Sequence, residues 1–368
     1  MRKILIFNSG SYLYGAEKGL INLISILSIN FEIICVIPSP GPLEKKLKDL
    51  KVKIIYFPLP ILKFSFFFFY YLNYFFLSLI CFFYFSLYII TKKIDIILTN
   101  NLLIIFPSLV AKITSRKHIW YVREFFSTSR INLFLRRFIL KFSHLIIAQS
   151  QAIKEKLSLD KKTYIIYEPL NEKNYTIYDK FLMRKKFNLP LQAIILTIIS
   201  RIHPTKGQFE FLKRIRNLLE YKKNLIILIV GDITPPTRRN KIYKKKIENF
   251  IKKNKIKNVY LLGFQEDIDK FLSLSDICIF PFLREEPFGI AVLESLAFNK
   301  ITLFPKKGGL KEIAYIFKNR NIFDVNEIEK ILSTLNSPLK SEKNNLFIPE
   351  EFSFSTYRNK ILSLFSKL

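Results

Sequence analysis

The feature that most constrains this chain is a rhythm that occurs twice. Apolar runs too short for helices alternate with segments whose apolar residues recur at helical spacing. In the first half the runs fall at residues 4–7, 31–38, 52–57, 94–99, 119–122, 145–148 and 164–167. In the second they fall at 194–199, 225–230, 259–262, 277–282 and 302–304. A run that is apolar at every position is buried on both faces, and such a strand belongs to a parallel sheet covered by helices. Two series imply an α/β chain of two domains, and 368 residues suffice for two cores. Between the series, residues 171–187 are polar, charged and aperiodic, which reads as a linker. The expected division is a first domain over 1–170, a linker over 171–190, a second domain over 191–345 and a C-terminal helix over 346–368.

Composition narrows the class. Half of the residues are hydrophobic, too many for a disordered chain. Cys35, Cys81 and Cys278 stand in apolar surroundings without paired spacing, so they read as reduced core residues of a cytosolic protein. Met1-Arg2-Lys3 runs straight into the first strand with no secretory signal. The formal net charge is +30. Part of it is compositional, since Lys, Ile, Asn, Phe and Tyr dominate as AT-rich coding would produce. The cations are spread along the chain, denser at 238–246 and 252–257, with no zinc-finger spacing or aromatic RNA-binding signature. That argues against nucleic acid and for an anionic membrane surface or a phosphorylated substrate.

Residues 64–90 carry no charge and are rich in Phe and Tyr. Their length is enough to cross a bilayer, which takes about 20 residues. A crossing would separate the first three strands from their sheet partners, because strand spacing resumes at residue 94. Three readings stay open: a helix, broken near Asn73, that packs on the sheet and dips its aromatic face into the membrane interface; a helix wholly in the core; and a true span. Topology favours the first, and Lys63, Lys92 and Lys93 flank the stretch with charge suited to anionic lipid. The basic, apolar helix over 131–144 suits the same surface, or ordinary amphipathic packing.

The densest chemistry lies in SDICIFPFLREEPFGIAVLESLA, residues 275–297. A buried run leads into Arg284-Glu285-Glu286, Pro287 ends the strand because it lacks an N–H, and helical spacing starts at Gly289. Glu286 therefore sits in the loop and Glu294 inside the helix, with seven residues between them. The first turn offers the N–H groups of Phe288, Gly289 and Ile290 to an anion, and Gly289 lets it come close. Two carboxylates, which only accept hydrogen bonds, suit a ligand rich in hydroxyls. Upstream, SRIHPTKGQ at 200–208 follows a strand, so Arg201 and Lys206 flank a tight loop at a carboxyl end, where open α/β sheets bind ligands. A planar fork and a point charge together suit a diphosphate. Each segment alone also fits a solvated surface turn. His203 has no second metal-type side chain near it, and Asp267-Ile268-Asp269 falls within a helix, so no metal site is expected. Gly15 is a small residue at the first strand-to-helix turn, which lacks the G-x-G-x-x-G of a nicotinamide dehydrogenase.

Four segments in order, YGAEK at 14–18, SRIHPTKGQ at 200–208, SDICIFPFLREEPFGIAVLESLA at 275–297 and GGLKE at 308–312, resemble the retaining glycosyltransferases of family 4. The resemblance covers nearly the whole chain. It implies the GT-B fold: two Rossmann-like domains facing a central cleft, with the C-terminal helix crossing back to the first. It also implies a metal-independent enzyme without cofactor, whose donor substrate is a nucleoside-diphosphate sugar. Arg201 and Lys206 would bind the donor diphosphate and stabilise the leaving group, Glu286 would contact the transferred sugar, and Glu294 would hold the ribose hydroxyls. The amides of Phe288, Gly289 and Ile290 would face sugar or phosphate, Gly15 would close over the phosphates, and Gly308-Gly309 with Glu312 would support the site. The chain departs from the family at Tyr14, where a second glycine is usual. It departs again at Arg123-Glu124, where a histidine is usual, which makes Arg123 and Glu124 candidate acceptor or sugar contacts. In such folds the first domain binds the acceptor, and here that domain is Phe-rich. The implied acceptor is a lipid-linked glycan in bacterial surface polysaccharide or lipopolysaccharide synthesis, met on the cytoplasmic face of the inner membrane. A catalytically inactive scaffold on the same fold is the competing reading, and the intact Arg201, Lys206, Glu286 and Glu294 speak against it.

Overall fold

The structure, a computed structural model, describes residues 1–13, 15–62, 68–125, 129–159, 162–234, 236–339 and 345–368. Tyr14, Lys63 and residues 64–67 of the aromatic stretch lie outside the described residues. The chain divides into two compact units, Met1–Pro169 with Glu351–Leu368, and Leu170–Glu350.

In the first unit one parallel sheet holds β1 (Arg2–Phe7), β2 (Phe31–Ile37), β3 (Lys53–Tyr56), β4 (Ile96–Thr99), β5 (Lys117–Val122), β6 (Leu145–Ala148) and β7 (Thr163–Ile165). Their order is β3-β2-β1-β4-β5-β6-β7. Every expected run became a strand, because each is apolar on both sides. Alternation along β1 divides those sides. Ile4 and Ile6 join a core with Leu20, Leu23 and Leu27 of the helix Gly15–Leu27 and Tyr357 and Ile361 of the C-terminal helix Phe354–Ser366. Leu5 and Phe7 join another core with Cys81, Phe85 and Ile89 of the helix Phe68–Thr91.

That helix runs unbroken through Asn73. The break expected there is absent, since an Asn costs a helix at most about 0.7 kcal/mol. Its stripe Cys81, Phe85 and Ile89, at four-residue spacing, is buried, whereas Phe69 is 80 %, Phe83 64 % and Leu87 66 % exposed. Within this chain it is not a core helix.

The second unit holds β8 (Ile194–Ile199), β9 (Leu225–Val230), β10 (Val259–Gly263), β11 (Ile277–Ile279), β12 (Ile301–Leu303) and β13 (Ile322–Phe323), all parallel, in the order β10-β9-β8-β11-β12-β13. β11 stops before the end of its apolar run because Pro281 has no N–H to give the ladder, although Phe280 and Phe282 remain buried. Winding reverses between β8 and β11, and open α/β sheets bind ligands outside the carboxyl ends of the strands at such a point.

Residues 171–187 are not an aperiodic linker. They form the turn Glu172–Asn174 and the helix Lys180–Lys186, whose cap Asp179 accepts from the Leu182 amide. Their charge is used inside the unit. Lys180 Nζ lies 2.6 Å from Asp276 Oδ1 and Arg184 Nη2 lies 2.7 Å from Oδ2, with all three residues buried. Asp276 also accepts from the amides of Ile195 and Leu339. Polar composition here marks a buried ion network, which sequence pattern alone cannot tell from a solvated segment.

Candidate active site

The loop that leaves β8 is tied down from within. His203 caps the turn Pro204–Lys206 by accepting from the Thr205 amide. Burial, with Arg201, Arg239, Lys206 and Arg284 around it, lowers the His203 imidazole to about 4, so it is neutral and accepts. Buried Gln208 donates its side-chain amide to Ser200 Oγ and to the Arg201 carbonyl, each at 2.9 Å. Gly207 follows at φ 71°, and a Cβ there would stand 2.0 Å from the Pro281 carbonyl oxygen. Only glycine lets the two loops meet. Leu283 N donates to the Thr205 carbonyl at 3.0 Å along the same seam.

The seam brings Lys206 to Glu286, Nζ to Oε1 at 2.7 Å, both largely shielded from solvent. Lys206 Nζ also stands 4.2 Å from the centre of the Phe282 ring. Burial lowers the lysine's pKa and the Arg201 charge adds to the effect, while Glu286 opposes both. Arg201 itself is exposed. The backbone of Glu286 is fixed by the Gly309 amide, which donates to its carbonyl at 2.9 Å. A Cβ on Gly309 would stand 2.2 Å from the Pro287 carbonyl oxygen, so this second seam also depends on glycine.

Gly289, at φ 101°, opens the helix Ile290–Ala297, with Phe288 buried before it and Ile290 half-buried after it. Helix geometry leaves the first-turn amides without partners inside the helix. Further in, Glu294 is 3 % exposed and accepts from the Tyr175 hydroxyl at 3.2 Å. Sequence reasoning missed Tyr175, which falls in the segment taken for a linker. Glu312 lies in the first turn of the helix Leu310–Ile316, directly after the Gly308-Gly309 turn. Among the described residues, no three His, Cys, Asp or Glu side chains converge as they would around a metal ion.

The remaining candidates belong to the first unit. Gly15 is the first residue of the helix Gly15–Leu27. Arg123, just past β5, is buried. Its Nε donates to Asn100 Oδ1 at 2.8 Å, its Nη1 pairs with Glu168, and its guanidinium lies 3.8 Å from the centre of the Tyr121 ring. Tyr121 donates to the same Glu168 oxygen at 2.8 Å. Arg123 thus serves chiefly to bind elements of its own unit, and Glu124 beside it is half-buried.

Residues 179–350, nearly all of the second unit and just under half of the chain, match the family of glycosyl transferases group 1. This unit is a group 1 glycosyltransferase domain. Curated relatives match over part of their length. A trehalose synthase from Pyrococcus horikoshii is 25 % identical over 254 residues, 64 % of this chain and 60 % of its own. A lipopolysaccharide 1,2-N-acetylglucosaminetransferase from Salmonella typhimurium is 29 % identical over 132 residues, 35 % of each chain. The chain therefore spans less than two thirds of the relatives it matches. Among solved structures, the Anabaena protein HepE in complex with UDP and glucose is similar with a TM-score of 0.79 at 19 % identity, over the whole of both chains. A glycosyltransferase from Rickettsia africae is similar with a TM-score of 0.67 at 20 % identity, covering 100 % of this chain and 98 % of its own. These likenesses show the fold, which is GT-B with two parallel-sheet Rossmann-like domains. In the glycosyltransferase domain the four expected charged residues stand around the ends of β8 and β11: Arg201 and Lys206 on one loop, Glu286 on the next, and Glu294 on the helix behind it.

Proposed function

We propose that this protein is a retaining, metal-independent glycosyltransferase of family 4 that moves a sugar from a nucleoside-diphosphate sugar to a lipid-linked glycan. One observation carries the reading: Lys206 and Glu286 come from separate loops of a group 1 glycosyltransferase domain and meet at 2.7 Å, at the carboxyl ends of β8 and β11. An ammonium has three N–H groups, so the Glu286 contact leaves donors for phosphate oxygens. In this reading the bond from the sugar's anomeric carbon to the diphosphate breaks, and the acceptor oxygen bonds to the same face of that carbon. The acceptor's proton passes to the departing phosphate oxygen. Arg201 and Lys206 stabilise the charge that grows on the diphosphate, as fixed cations in a shielded site do best. Glu286 accepts from sugar hydroxyls and Glu294 from the ribose. Neighbours solved with UDP and UDP-glucose support a uridine donor. A relative that acts on lipopolysaccharide supports a surface-glycan acceptor. The exposed aromatic face of the first unit supports work on the cytoplasmic face of a bacterial inner membrane, with the protein held peripherally.

Thermal unfolding with UDP, GDP, ADP or CMP tests the donor site, with Lys206→Ala beside the wild type. A ligand at 100 times its Kd stabilises a fold by ~2.7 kcal/mol. One nucleotide is expected to raise the wild-type Tm and leave the variant unmoved. Equal shifts in both proteins would remove Lys206 from the site. The matching nucleotide sugar, labelled in the sugar and incubated with membrane lipid extract, is expected to yield labelled lipid, which an inactive scaffold does not give.

A further inference from the structure

Two acids of the candidate site, Glu286 and Glu294, each rest on a donor from the protein, Glu286 on Lys206 and Glu294 on Tyr175. The second partner is the less expected, because it comes from a polar strap rather than a strand end. The strap carries a capped turn before Tyr175 and is pinned to the unit just after it. Asn171 caps its short turn through the Lys173 amide. Thr176 N donates to Asp269 Oδ2 at 2.8 Å, Tyr178 N to Ser273 Oγ at 3.1 Å, and the Tyr178 hydroxyl to Asp267 Oδ2 at 2.8 Å. Between the turn and these anchors the Tyr175 ring meets Phe298 edge to face, with centroids 6.0 Å apart. Phe298 ends the helix that carries Glu294. Ring and hydroxyl are therefore both referenced to one helix.

We propose that Tyr175 is a positioning residue that holds Glu294 in the orientation needed to grip a vicinal ribose diol, and so sets selectivity for a ribonucleotide over its 2′-deoxy counterpart. The inference rests on the proposed function, in which Glu294 is the ribose contact. A carboxylate turns easily about its terminal torsion, whose distribution is broad, and few of its orientations meet two adjacent hydroxyls. A hydrogen bond from a fixed phenol removes that freedom before the ligand arrives, which is how preorganisation strengthens binding. The Glu294 oxygen that accepts from Tyr175 has a second lone pair to offer. Burial first, and then the Glu294 charge, raise the pKa of the phenol, so it stays a donor across the physiological range.

Calorimetric titration of the full chain with UDP and 2′-deoxy-UDP, and with GDP and 2′-deoxy-GDP, tests this in the wild type, Tyr175→Phe and Tyr178→Phe. Loss of a hydrogen bond to a charged group corresponds to a change of ~10-fold or more in affinity. The wild type is expected to prefer the ribonucleotide by about that factor. Tyr175→Phe keeps the ring against Phe298, and it is expected to narrow the preference to ~3-fold or less by weakening the ribonucleotide alone. Tyr178→Phe loosens the same strap elsewhere and is expected to keep the wild-type ratio. Phe298→Leu withdraws the seat of the ring, and its expected partial narrowing decides the matter if Tyr175→Phe does not fold. A wild type indifferent to the 2′-hydroxyl, a ratio untouched in Tyr175→Phe, or equal narrowing in Tyr178→Phe overturns the inference while donor binding stands. Failure of the wild type to bind any of the four nucleotides overturns the proposed function, and this inference with it.

Discussion

At the residue scale, burial sets chemistry that composition does not announce. His118 in β5 is 1 % exposed, and its Nε2 shares a hydrogen bond with Thr99 Oγ1 at 2.9 Å. Burial lowers its pKa to about 3, against about 6.5 in an unfolded chain. Between those values the unfolded chain binds a proton that the folded one refuses. The stability this neutral group allows is thus complete above pH 6.5 and is lost as pH falls toward 3. From pH 6.5 to 5 the loss is up to ~2 kcal/mol, at ~1.4 per unit. Urea unfolding at pH 7 and pH 5 is expected to show this extra loss in the wild type and not in His118→Gln. Equal losses would mean that the imidazole takes up its proton in place. The charged residues of the candidate site were legible for a different reason. Arg201, Lys206, Glu286 and Glu294 announce themselves by type and spacing within short segments. Tyr175 and Glu294 meet across more than a hundred residues of sequence, and no local pattern links them.

At the element scale, the helix Gly15–Leu27 shows how a weak local choice serves a packing need. Gly19 lies within it, where glycine costs about 1 kcal/mol relative to alanine. A Cβ at Gly19 would stand 2.3 Å from Glu168 Oε2 and 2.4 Å from Arg123 Nη1. The helix can approach the sheet only because the buried ion pair meets no side chain there. Gly19→Ala improves helix propensity but crowds the pair, and overpacking a filled core costs ~1–3 kcal/mol. A net loss of up to ~2 kcal/mol is expected in urea unfolding, after the propensity gain is subtracted. A midpoint at or above the wild type would show that the pair moves aside freely. Strands were the legible elements, since the inner apolar runs are buried on both faces, while the edge strands β3, β7 and β10 are only partly covered. The limits of that reading are equally physical. Pro281 cut β11 short, and residues 171–187 hid a helix because Lys180 and Arg184 spend their charge on buried Asp276.

At the scale of the whole molecule, a net charge of +30 and an uncovered apolar helix would each be a liability alone. In the proposed function an anionic membrane surface would answer both. The helix Phe68–Thr91 is followed by exposed Lys92 and Lys93. It packs beside Phe106–Ile113, with exposed Lys112 and Ile113, and that helix packs beside Ser129–Phe142, with exposed Leu133, Phe134, Arg137 and Lys141. Apolar side chains and cations thus share one run of neighbouring helices. The same helix is long and apolar enough to cross a bilayer, but crossing would take its buried stripe off the sheet. Phe85 meets Phe7 at 4.8 Å and Phe106 at 5.9 Å between ring centroids. Each side chain so buried contributes ~1.5–3 kcal/mol, so a crossing would forfeit that packing, and the proposed membrane attachment calls for an in-plane helix with its outer face in the lipid interface. The protein is expected to float with vesicles containing phosphatidylglycerol, less with pure phosphatidylcholine, and less as salt rises. Alkaline carbonate is expected to release it. Phe83→Ser with Leu87→Ser, both on the exposed face, is expected to weaken flotation at least ~10-fold without moving the urea midpoint. Retention through carbonate would mean that the helix spans and the stripe leaves the sheet. Absence of flotation from either vesicle would assign the face to another protein and withdraw the main physical reason for a lipid-linked acceptor.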